Sequence, residues 1–394
     1  MENQKELKKG LFPQYSEGSD FPGVRKVLEA TDSLSRPSKI RTQASEENFI
    51  KDSNRPDALR RVRRKLAERI MPWTPKKERQ ASVREGRARD KIAEEFINAQ
   101  REVRVSVGEL GEQMARFVVL TPPEGRKTEE TDLKPPIFLI SGISNDLESM
   151  GMLPQEIAFK GRKVVLIGFP ESWNGEVTDA FGKAAEESAN YEPHTTFFKE
   201  AIKTIKENQE VKDRIGDVSK IDLWGYSAGA AIVAEMLTDQ AFRGQIADAA
   251  IIAPPNCVDQ KNLKIFGQEI PLPIAVIKEL YQNLRPRNIK AAAGLNVINR
   301  HDIQYTEDHR NRMLRTYNAL REKVLRKNNW WKNDLRVRDG GKITVISYES
   351  DHMTQSYKVA DEIAQNPNLH LIKLPGSHNT PLTKPQDMIR ALAA

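Results

Sequence analysis

Among the 394 residues, the group with the clearest chemical meaning is Gly225-Tyr226-Ser227-Ala228-Gly229. This G-x-S-x-G spacing lies between the apolar run IDLW and the stretch AGAAIVAEML, so the serine falls where a strand turns into a helix. That setting suits a serine nucleophile. The bend must be sharp enough to lift the hydroxyl above the sheet, and glycines two residues to either side remove Cβ atoms that would clash in it. The following helix presents free N–H groups and its positive dipole end to a developing oxyanion.

A nucleophile placed this way needs a rigid scaffold, and the flanking sequence predicts one. In REVRVSV (101–107), Val103, Val105 and Val107 alternate with polar residues; Gly108 and Gly111 supply a turn, and MARFVVL (114–120) returns as a second strand. Apolar strands and helices then alternate: IFLIS (137–141), a helix-like stretch near 147–159, VVLIG (164–168), a helix from about 194 to 209, IDLWGYS (221–227), a helix from 228 and AAIIAPP (249–255). Later come ITVISY (343–348), a helix near 354–365, LHLIKL (369–374) and a helix at 384–393. Short, nearly continuous apolar strands alternating with helices predict an α/β protein. Its mostly parallel sheet of about eight strands is covered on both faces, with the opening hairpin as an antiparallel edge.

Residues 256–342 interrupt the alternation with helical periodicity and no convincing strand, which predicts an inserted helical subdomain. Residues 1–95 form a separate, basic arm. Residues 1–100 carry 23 basic and 16 acidic side chains, whereas the remainder carries 39 of each, so the net charge of +7 belongs to this arm. Within it, Leu59, Val62, Leu66 and Ile70 repeat at helical spacing among arginines, an amphipathic basic helix ending before Pro72 and followed by Trp73. Residues 57–73 suit an anionic membrane surface or a protein groove, with a solvated tether as the plain alternative. They contain no module for reading nucleic acid.

The totals exclude other chemistry. The single cysteine, Cys257, rules out an internal disulfide and any zinc site of several thiolates. There is no Walker-type GxxxxGK, GxGxxG, HExxH or EF-hand loop, so neither cofactor nor metal is expected. The first twenty residues contain no apolar signal core, and IPLPIAVI (270–277) is far too short to cross a membrane, so a cytoplasmic protein, or one peripheral to a membrane, is expected.

From the elbow outward, residues 101–394 resemble the α/β-hydrolase superfamily. That resemblance implies a triad in the order serine, acid, histidine, with the acid after a late strand and the histidine after the last one. Here Asp351 follows ITVISY, and His378 follows LHLIKL in the loop PGSHNT. Ser227 would attack a carbonyl, His378 would take and return its proton, and Asp351 would orient the imidazole. Glu349 and Asp259 are the competing acids, and His352 is the competing base. His194, at the start of a helix, and His301 and His309, in the insert, are expected to make ordinary polar contacts. The oxyanion donors implied are the N–H groups of Ala228 and Ile143, although Ser141-Gly142 stands where the family usually has His-Gly.

The string GFPESW (168–173) is similar to one found beside the oxyanion strand of epoxide hydrolases and haloalkane dehalogenases. Here it follows VVLIG, one strand later, and the elbow carries Ser227 rather than aspartate, which excludes that chemistry. The insert would then be a lid whose Ile270, Leu272, Ile274, Val276, Ile277, Leu280, Tyr281, Trp330 and Trp331 either roof an apolar acyl pocket or pack the lid onto the core. The function implied is hydrolysis of a carboxylic ester or thioester, including lipid-like ones. An acyltransferase with the same triad and a non-catalytic binding protein on the same scaffold are the alternatives.

Overall fold

The computed structural model describes residues 99–122, 133–143, 147–150, 152–171, 177–216, 218–255, 262–265, 268–273, 315–316, 319 and 329–393. The arm at 1–95, with its basic helix and Trp73, lies outside them, as do Asp259, His301, His309 and the insert residues Ile274, Val276, Ile277, Leu280 and Tyr281.

The strands β1 (Arg101–Ser106), β2 (Glu112–Leu120), β3 (Ile137–Ile140), β4 (Val164–Ile167), β5 (Ile221–Tyr226) and β6 (Ile246–Ile252) form most of one sheet. The hairpin strands β7 (Asn262–Ile265) and β8 (Gln268–Pro273) stand apart, and β9 (Ile343–Tyr348) and β10 (Leu369–Leu374) complete the large sheet. Its order is β1-β2-β4-β3-β5-β6-β9-β10, eight strands in all. The β2 strand runs antiparallel to both neighbours, and every pairing from β4 to β10 is parallel. This is the α/β-hydrolase fold, with the opening hairpin at the antiparallel edge as the sequence leads one to expect.

Two layers of helices cover it. In chain order they are α1 (Met152–Phe159), α2 (Asp179–Glu187), α3 (Glu192–Glu207), α4 (Gln209–Ile215), α5 (Ala228–Met236), α6 (Gln240–Arg243), α7 (Ala360–Ala364), α8 (Thr380–Thr383) and α9 (Gln386–Ala393). Strand alternation divides the core between them. Phe138, Ile140, Val165, Ile167, Leu223 and Val345 face α2 to α7, while Ile137, Leu139, Val164, Leu166, Trp224 and Ile346 face α1, α8 and α9. Apolar burial on both faces is why these strands read as unbroken apolar runs, each buried Leu, Ile or Val contributing about 2 kcal/mol. A charged exception, Asp222 on β5, is held at 2.6 Å by Arg162. Burial pushes its carboxyl up from the ordinary range, and the Arg162 guanidinium opposes that shift.

Two features of the insert depart from the helical expectation. The β7–β8 pair is an antiparallel hairpin, with Ile265 opposite Gln268, and it belongs to a unit separate from the sheet. Trp330 and Trp331 are buried in the core beside α5, each only 2% exposed. Their rings cross edge to face at 5.8 Å; Trp330 Nε1 donates to Pro255 O and Trp331 Nε1 to Glu362 Oε2. They are core residues, so the plainer of the two sequence readings applies to them. Among the described residues, no helix is long and apolar enough to cross a membrane.

Candidate active site

Parallel strands end along one edge of a sheet, and every element that carries a candidate residue leaves from that edge. Ser141 to Ile143 follow β3, Ser227 follows β5, Asp351 lies three residues beyond β9, and His378 lies four residues beyond β10.

Ser227 is the residue before α5 and has φ 55° and ψ −119°, a conformation L-residues rarely adopt. Its N–H donates to Ile252 O on β6 at 2.9 Å, which holds the bend against the neighbouring strand. A serine at this position ordinarily caps the helix with its hydroxyl, but Ser227 makes no such bond. Its Oγ instead lies 3.0 Å from His378 Nε2. Gly229, the second residue of α5, lets the helix approach β3: a Cβ there would lie 2.4 Å from Ser141 O.

His378 Nδ1 lies 3.0 Å from Asp351 Oδ2, so the imidazole spans the serine and the carboxylate. The two loops are stitched together, because Ser350 N donates to Gly376 O at 2.9 Å. Gly376 has φ +134°, and its neighbour Ser377 donates from its N–H to Thr380 Oγ1, which anchors the histidine loop to α8.

Asp351 is wholly buried and fully hydrogen-bonded. Oδ1 accepts from the N–H groups of Met353 and Thr354, at 3.0 and 2.9 Å, and Oδ2 accepts from Thr354 Oγ1 at 2.5 Å and from His378. Burial alone would push this carboxyl up. The charge and hydrogen bond of His378, with the bonds from Thr354, outweigh burial and hold it below the ordinary aspartate value. It is therefore an ionised carboxylate, the state that orients an imidazole.

The structure brings Ser227, His378 and Asp351 into one hydrogen-bonded line and leaves Glu349 and His352 outside it. Glu349 is exposed and its N–H donates to Leu374 O, while His352 packs its ring edge-on against Tyr357 at 6.4 Å. Ala228 is the first residue of α5, so its N–H has no partner within the helix. Ile143 lies past the end of β3, half-buried and packed against the core.

One buried pair was invisible in the sequence. His194, in the first turn of α3, meets Glu171 of the GFPESW string, which follows β4 as expected. The imidazole is completely buried between Phe169 and Phe181, whose ring centroids lie 6.2 and 5.3 Å away. Glu171 and His194 are separated by 23 positions and lie on different elements, so no spacing rule joins them.

No family model and no curated protein matches the chain. Solved structures do. The thioesterase domain from the curacin biosynthetic pathway is 14% identical with a TM-score of 0.47, covering 75% of this chain and 100% of its own. An esterase from Thermogutta terrifontis is 12% identical with a TM-score of 0.49, covering 74% of this chain and 97% of its own. E-2-(Acetamidomethylene)succinate hydrolase is 13% identical with a TM-score of 0.46, covering 75% of this chain and 98% of its own. Strand order, the sharp turn from β5 into α5, and the departure of Ser227, Asp351 and His378 from a single edge give this chain the α/β-hydrolase fold.

Proposed function

We propose that the chain is a serine hydrolase that cleaves a carboxylic ester or thioester through an acyl-enzyme on Ser227. The observation that carries this reading is the line from Ser227 Oγ through the His378 ring to Asp351, with 3.0 Å at each junction. Ser227 Oγ attacks the carbonyl carbon as its proton passes to His378 Nε2. Asp351 stabilises the resulting imidazolium through Nδ1–H and stays ionised. The carbonyl oxygen becomes an oxyanion that accepts from the N–H groups of Ala228 and Ile143, each such donor lowering the barrier by about 3 kcal/mol. Collapse expels the alcohol or thiol, which takes the proton from His378. Water then attacks the acyl-serine with His378 as base, releasing the acid and restoring Ser227.

In this reading the acyl group is apolar, which makes rate depend on acyl length. The test is labelling with a fluorophosphonate probe, followed by a series of p-nitrophenyl esters from acetate to long acyl chains. Labelling of the wild type that disappears in Ser227→Ala supports the nucleophile. Folded wild type that resists the probe overturns it, and a flat response from acetate upward overturns the apolar acyl group.

A further inference from the structure

Tyr226, the residue before the nucleophile, has contacts that nucleophile chemistry alone does not require. It ends β5, is completely buried, and faces the α1, α8 and α9 side of the sheet. Its hydroxyl donates to the carbonyl oxygen of His378 at 3.0 Å, with Asn379 Oδ1 also within 3.4 Å. Its ring lies along the imidazole of the same histidine, with centroids 5.2 Å apart and planes 29° from parallel. A side chain that only filled space would need the ring and not the hydroxyl bond. Tyr226 engages His378 at two places, backbone and ring, from a single rigid phenol.

We propose that Tyr226 is a positioning residue for His378, holding the imidazole in the one orientation that presents Nε2 to Ser227 and Nδ1 to Asp351. An imidazole reaches both partners at 3.0 Å only when its two side-chain torsions are set together. The stacked phenol blocks rotation on one face, and the hydroxyl fixes the backbone from which those torsions start. Because Tyr226 and Ser227 are joined by one peptide bond, the nucleophile and the clamp on its base share one continuous stretch of backbone. Their separation is thus insulated from small shifts of the loop after β10. The proposal rests on Ser227 and His378 acting as nucleophile and base.

The test uses the full chain with Tyr226→Phe and Tyr226→Leu, each checked for cooperative melting. The His378 ring-proton resonances, identified by their absence in His378→Asn, report stacking whether or not the protein is a hydrolase. Fluorophosphonate labelling and p-nitrophenyl acetate turnover report positioning. Tyr226→Phe keeps the stacked ring, so the ring-proton shifts hold, while kcat and the labelling rate fall about fivefold at unchanged KM, as expected for one lost hydrogen bond. Tyr226→Leu loses both contacts: the ring protons move downfield toward their unstacked positions, and labelling slows by roughly a further tenfold. Unmoved ring protons in Tyr226→Leu, or wild-type labelling rates in both variants, overturn the proposal. Wild type that resists the probe overturns the hydrolase reading instead, and the ring-proton shifts still judge Tyr226.

Discussion

A Cβ atom on Gly225 would stand 2.3 Å from the carbonyl oxygen of Gly229, and 2.7 Å from Val233 Cγ2. The two glycines of the elbow therefore serve different surfaces. Gly225 admits the first turn of α5 against β5, and Gly229 admits that turn against the end of β3. Gly225→Ala forces backbone apart rather than a flexible side chain, so a loss of about 3 kcal/mol is expected from urea unfolding, at the upper end of overpacking effects. Because the displaced backbone bears Ser227, fluorophosphonate labelling of the surviving folded protein falls as well.

Gly244 provides the contrasting case. It is exposed, has φ −62° and ψ −21°, and a Cβ there would meet nothing within 4 Å. Gly244→Ala is expected to stabilise by about 0.5 kcal/mol, since alanine restricts the unfolded chain without straining the folded one. A urea midpoint raised at unchanged slope is the expected reading.

Asp351 makes stability depend on pH through Thr354. Its folded value lies below the ordinary one, so its contribution is fully present above the unfolded value near about 4 and is lost as pH falls through the folded value. Thr354→Val removes the hydroxyl donor 2.5 Å from Oδ2. A loss of about 2 kcal/mol is expected at pH 7, shrinking as the carboxylate protonates. Urea unfolding from pH 7 down to pH 3 measures it, and a gap that stays constant with pH would contradict the assignment.

Asp351→Asn keeps the shape of the site but favours the wrong imidazole tautomer. Under the proposed mechanism, a fall in kcat of about 10⁴-fold on an activated ester is expected, with KM little changed.

The Glu171–His194 pair is structural in its first consequence. Both side chains are buried, so removing one leaves the other without its partner, and His194→Leu or Glu171→Leu is expected to cost about 3 kcal/mol. The double variant should cost less than the sum, with a coupling above about 1 kcal/mol from the four melting or urea curves. Additive losses would mean that the two side chains do not stabilise one another.

Much of this was legible beforehand, for identifiable reasons. Strands β3, β4, β5 and β9 are buried on both faces, so their composition announces them. Asp351 and His378 stand out in the sequence because the family resemblance implies an acid and a histidine after late strands, and the ends of β9 and β10 are easily located. The sequence predicts helix where the hairpin β7–β8 lies, although Leu263 and Ile265 alternate with polar neighbours at a strand's period. The neighbouring IPLPIAVI run masked that period. Trp330 and Trp331 fall in the insert by their place before β9 in the chain, but they pack with α5. Tyr226 meeting His378 is likewise a matter of two elements 152 positions apart, which only the fold brings together.

The backbone of Ser227 also affects how an inactive form of the protein should be chosen. At φ 55° the serine holds a conformation that disfavours any side chain, at a cost on the order of 1–3 kcal/mol. Ser227→Gly would abolish the hydroxyl and release that strain together, so the dead protein would melt above the living one. Ser227→Ala removes the hydroxyl and keeps the strain. Under the proposed hydrolase reading, catalytic competence and thermal durability are opposed at this position, and alanine, not glycine, is the fair blank for activity measurements.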